Sequence, residues 1–103
     1  MNNDNLSFAR LITEDIRLVL LRALQEDSGY SLNESVLHTV LELFGHKVGR
    51  DRVRTELAWL AEQGLVVIER VASVDVATIT RRGADAAVGR IAVPGVKRPG
   101  PRG

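Results

Sequence analysis

The chain has no cysteine, which excludes disulfide frameworks, thiolate zinc centres and cysteine nucleophiles. It has two histidines, His38 and His46, with no H-E-x-x-H arrangement around them, so no zinc pattern is present and both read as surface residues. No apolar run approaches the roughly 18 residues of a membrane span, which excludes an integral membrane protein. The opening Met1-Asn2-Asn3-Asp4-Asn5 lacks the basic and apolar regions of a secretory signal, so the expected location is the cytoplasm. All three prolines fall in the last ten residues, beside three glycines, and that composition predicts a flexible basic tail over 93–103. What remains is 103 residues, 45% hydrophobic and 26% charged, enough for one small domain with a single core.

The net charge of +1 hides an uneven distribution. Residues 1–45 carry three basic and seven acidic side chains, whereas 46–54 carry four basic and one acidic. Residues 55–79 are again acidic, and 80–103 hold six basic residues against Asp85 alone. Positive charge confined to one short segment and one end is the pattern of a chain that presents a face to a polyanion.

Hydrophobic periodicity places a first helix from about Thr13 to Asp27, after a lead-in over 1–12. Thr13 reads as its N-cap, with Glu14 and Asp15 in the first turn. Ile12, Ile16, Val19, Leu20 and Ala23 share one face. Leu11, Leu18 and Leu21 form a second strip roughly opposite, so either the helix runs through the middle of the domain or a second copy of the chain covers that strip. In so short a chain the partner copy is the favoured reading, with Leu11, Leu18 and Leu21 as a dimer seam. After the extended Tyr30-Ser31-Leu32, the run Ser31-Leu32-Asn33-Glu34 matches a capping box. The helix it opens carries Val36, Leu37, Val40, Leu41 and Phe44 on one face and stops at Gly45. A third helix runs from Arg50 to Gln63, with Val53, Leu57 and Leu60 inward and Gly64 after its end. The period then changes: 65–71 and 76–80 are β-branched strands around a turn, and Thr80 opens a short fourth helix weakened by Gly83.

Two helices joined by a short turn, the second with an arginine-rich start, followed by a β-hairpin, describe an α+β winged helix-turn-helix: three helices, a hairpin wing, a short fourth helix and a tail. The domain occupies 13–92. The run Val53-Arg54-Thr55-Glu56-Leu57-Ala58-Trp59-Leu60-Ala61-Glu62-Gln63-Gly64-Leu65-Val66 resembles the L-x-x-L-x-x-x-G-L-[VI] junction of winged-helix regulators. Ile79-Thr80-Arg81-Arg82-Gly83 resembles the [LI]-T-x-x-G that follows their wing. Over roughly 10–95 the chain is also similar to small ArsR-like proteins of Mu-like phages and prophages. The winged-helix resemblance implies a DNA-binding transcriptional regulator, acting as a homodimer on double-stranded DNA, and the second resemblance implies a phage or prophage context. Metal sensing in ArsR-like proteins uses cysteine clusters, and with none here no effector or cofactor is expected.

With Val53, Leu57 and Leu60 inward, a 100° rotation per residue points Asp51, Thr55, Ala58 and Glu62 outward. Arg52 and Trp59 fall on one flank, and Arg50 and Arg54 on the other. Base readout by the first turns nominates Arg52 and Thr55, together with Asp51. Lys47, Arg50 and Arg54 serve phosphates at the positive end of the helix. The wing tip lacks a basic residue apart from Arg70 nearby, so Arg81, Arg82 and the tail are the expected substitutes. No convergent set of polar groups suggests catalysis, and an enzyme is not expected. A second class of function fits the same fold: a winged helix that binds a phage or host protein rather than DNA.

Overall fold

The structure is a computed structural model that describes residues 4–100, with side chains from Ser7 onward. Helix α1 spans Asp4–Glu26, α2 Glu34–Leu43, α3 Arg50–Glu62 and α4 Arg81–Ala87. Strands β1 (Ser31–Asn33), β2 (Val66–Val71) and β3 (Val74–Ile79) form an antiparallel sheet in the order β1-β3-β2. Leu32 and Ile68 both pair with Ala77 in this register. The architecture is α+β, and its element order is that of a winged helix-turn-helix with β2 and β3 as the hairpin.

Helix α1 begins well before Thr13, because nothing between Asn5 and Ile12 breaks a helix and Phe8 lies one turn ahead of Ile12 on the first face. The Thr13 hydroxyl caps no helix; it accepts a hydrogen bond from Arg52 Nη2 at 2.8 Å. At 23 residues, α1 is about 34 Å long and touches α2, α3, α4 and β3. It therefore runs through the middle of the domain. Leu18 and Leu21, assigned above to a dimer seam, are 2% and 0% exposed, and only Leu11 of that trio faces solvent. The C-terminal third of the chain covers the second strip, so no partner is needed to bury it.

The sequence allows α2 to start at Ser31 or at Asn33, and Asn33 is the one used. Asn33, not Ser31, is the N-cap of α2, its side chain accepting from the Val36 N–H at 2.9 Å, while Glu34 turns inward and is fully buried. Leu37 and Leu41 are buried as expected, but Val36 and Phe44 are exposed. Val53, Leu57 and Leu60 of α3 are fully buried against Ile16, Leu20 and Leu24 of α1 and Leu65 at the sheet. Each such side chain contributes about 1.5–3 kcal/mol on leaving water. In α4, Gly83 is required rather than tolerated: a Cβ there would lie 2.1 Å from the Leu65 carbonyl oxygen.

Of the expected tail 93–103, the described part packs instead of trailing free, and 101–103 lie outside the described residues. Val93 is 5% exposed within the core, and Ile91 and Val96 pack against it. The Lys97 N–H donates to the Glu14 carbonyl at 3.1 Å, and the Lys97 ammonium lies 3.4 Å from Asp15. Composition favours disorder there; two valines and a backbone bond to α1 decide otherwise.

Candidate nucleic-acid interface

The arginines at the start of α3 do not project freely. Arg54 Nε donates to Glu34 Oε2 at 2.6 Å, and Arg50 Nε reaches the same oxygen at 3.3 Å. The other oxygen of Glu34 accepts the Asp75 N–H at 2.6 Å, and Asp75 in turn accepts from Arg70 Nη1 at 2.9 Å. One cluster thus gathers Arg50 and Arg54 from α3, Glu34 from α2, and Arg70 and Asp75 from the wing. Three positive charges surround two negative ones, a surplus of one. Burial pushes the Glu34 carboxyl up, but the Asp75 N–H and the two guanidinium groups outweigh it and hold Glu34 below the usual carboxylate range.

A second cluster forms on the opposite flank. Buried Glu56 accepts from Arg52 Nε at 2.8 Å and from Arg17 Nε at 2.7 Å. Arg52 is therefore held between Glu56 and Thr13. The outward face of α3 presents Asp51, Thr55, Ala58 and Glu62, all exposed, with Lys47 exposed just ahead of it. The side chains of Arg50, Arg52 and Arg54 remain 41%, 36% and 39% exposed. They are oriented by buried carboxylates without being enclosed.

Arg81 and Arg82 lie elsewhere. Arg82 Nε donates to the Gln63 carbonyl at 3.0 Å, at the far end of α3, about 20 Å along the axis from Arg50. There it complements the negative helix terminus. Arg81 opens α4 beside it and is exposed. Neither joins the cluster at the start of α3. The tip itself, Ala72-Ser73, is uncharged, and both residues take positive φ, 50° and 69°.

The histidines fasten the turn that leads into α3. His38 Nε2 donates to the Val48 carbonyl at 2.7 Å, and His46 Nε2 donates to Asp15 at 2.6 Å with only 10% of its side chain exposed. They are not free surface histidines. Burial raises the Asp15 carboxyl, but hydrogen bonds and charge from His46 and Lys97 outweigh it and lower the titration. Trp59 is half-buried, as its position between the faces predicts, and packs under Arg17 of α1.

The one-turn spacing of Arg52 and Glu56 and the facing positions of Arg70 and Asp75 across the hairpin are local signals of pairing. Glu34 could not be read as the organiser of Arg50 and Arg54, because it lies on another helix.

The chain is 51% identical over 92 residues to the uncharacterised protein gp26 of Escherichia phage Mu, an alignment covering 89% of this chain and 95% of gp26. It is 54% identical over 78 residues to an uncharacterised protein of Haemophilus influenzae, covering 75% and 76% of the two chains. It therefore belongs to the family of phage Mu gp26. No protein-family model and no solved structure matches it.

Proposed function

We propose that this chain is a winged-helix DNA-binding protein that holds the phosphate backbone, in keeping with the regulator role implied by its resemblance to winged-helix regulators. One observation carries the reading: Arg50, Arg54 and Arg70, from α3 and the wing, converge on one face around Glu34 and Asp75 and keep part of each guanidinium exposed. Side chains ordered before binding lose less rotamer freedom when a phosphate arrives. The positive end of α3 and the adjacent Lys47 add to the same field. Base contacts fall to Thr55 and Asp51, so sequence discrimination is weak and backbone positioning dominates. The site of action is the bacterial host cytoplasm.

A gel shift with the DNA flanking its own gene, alongside a variant with Lys47, Arg50 and Arg54 all changed to alanine, tests this. Binding at low salt that the triple variant loses supports the reading; equal binding by both chains, or none by either, contradicts it.

A second reading rests on a different observation. Val36, Leu43 and Phe44 of α2 are 42%, 78% and 67% exposed. Phe44 also lines a groove of about 700 Å³ between α1 and α2, together with Leu18, Val19, Leu32 and Val40 and with charged side chains of α1. Apolar surface of that kind favours a protein partner, and it lies apart from the arginine cluster, so the two readings are compatible.

A further inference from the structure

We infer that Glu34 is a positioning residue that fastens the wing to helix α3, and that its two arginines divide the work: Arg54 stays as its counter-ion while Arg50 is the one given up to an incoming phosphate. The functional half of this inference rests on the DNA-binding reading; the fastening half stands on the free protein.

The carboxylate is fully buried, and each of its oxygens serves a different element. Oε1 takes the backbone N–H of Asp75 in the wing, and Oε2 takes α3. A backbone donor fixes the wing itself rather than a flexible side chain on it. Further along, Asp75 holds Arg70, whose other nitrogen donates to the Ser73 carbonyl at 3.3 Å, so the turn is drawn into the same network. The elements that would straddle a DNA backbone are thus referred to one group.

The two guanidinium groups differ. Arg54 meets Oε2 at 2.6 Å, in the range of a strong charge-assisted bond, whereas Arg50 meets it at 3.3 Å, near the limit for any hydrogen bond. A buried carboxylate stripped of both cations would carry a large desolvation cost. A phosphate can therefore draw off the weakly held Arg50 without leaving Glu34 unpaired, while removing Arg54 would. The surplus of one positive charge at this cluster is, in this account, Arg50.

The test uses amide hydrogen exchange on the free chain and titration with a mixed-sequence DNA duplex. Arg50→Ala should weaken duplex binding by about threefold to tenfold while leaving exchange at 74–76 as in the wild type. Arg54→Ala should speed exchange at those amides by about tenfold. Glu34→Gln retains an acceptor for the Asp75 N–H but frees both arginines, so the salt dependence of duplex binding should steepen by about one phosphate's worth. Wing exchange unmoved by Arg54→Ala, or a Glu34→Gln slope equal to the wild type's, would overturn the inference. If no variant binds duplex and exchange still responds to Arg54→Ala, the DNA reading falls and the fastening role is upheld.

Discussion

The guanidinium carbon of Arg17 lies 3.7 Å above the ring centroid of Trp59, and Gly95 closes over the same indole. Arg17 Nη1 also donates to the Gly95 carbonyl at 2.9 Å, so α1, α3 and the C-terminal segment meet at one aromatic side chain. Gly95 has φ +97°, and a Cβ there would fall 2.7 Å from two ring carbons of Trp59. Gly95→Ala should therefore destabilise the fold by about 1–3 kcal/mol through strain and crowding. Thermal unfolding followed by tryptophan fluorescence checks it, because an unpinned strap also alters the emission of Trp59. An unchanged melting temperature and spectrum would show that the C-terminal segment does not rest on this ring.

Leu21→Ala should cost about 2–5 kcal/mol, since the side chain is fully buried within one copy of the chain. Leu11→Ala, at an exposed position, should change stability by less than about 0.5 kcal/mol. Denaturant unfolding at two protein concentrations separates burial in the core from burial in a dimer. A Leu21→Ala effect that shrinks on dilution would restore the seam reading.

The wing turn is built against its own residue types. A tight two-residue turn with positive φ at both positions favours asparagine and glycine, and Ala72-Ser73 offers neither. Ser73→Gly should raise stability by roughly 0.5–1 kcal/mol, measured by urea unfolding. A loss of stability would mean the serine makes a compensating contact.

Acid should weaken the fold in a defined direction. Glu34 and Asp15 titrate lower in the folded chain than in the unfolded one, so they stabilise the protein fully at pH values above the ordinary carboxylate range. That stabilisation is lost as pH falls through the unfolded pKa values toward the lower folded ones. Melting temperatures measured downward from pH 6 should fall, and Glu34→Gln should flatten the fall. Equal pH profiles for the two chains would remove Glu34 from the explanation.

The helices and hairpin were legible because their signals are local. Val53, Leu57 and Leu60 at helical spacing, Gly64 after the helix, and the β-branched runs on either side of Ala72 need no distant partner to be read. The errors came where a residue has two uses. Thr13 and Ser31 are good caps, yet one is a hydrogen-bond acceptor for Arg52 and the other a strand residue. Leu21 is apolar for reasons found at the other end of the chain, since it shares a core cluster with Ala86, Ala87 and Val93. Of the nominated residues, Arg50, Arg54 and Arg70 come together, Arg52 pairs with Glu56 on the other flank, and Arg82 lies at the far end of α3 with Arg81 beside it. Charge counting along a sequence cannot distinguish a free arginine from one that a buried glutamate holds.

The most direct test of the central claim is the salt dependence of binding to a fluorescently labelled mixed-sequence duplex, followed by anisotropy. With Lys47, Arg50 and Arg70 as the available cations and Arg54 retained by Glu34, log affinity against log salt should fall with a slope of roughly −2 to −3, at about −0.9 per phosphate. Arg50→Ala should make that slope shallower by about 0.9. A flat line for the wild type, or an unchanged slope in Arg50→Ala, would contradict the account.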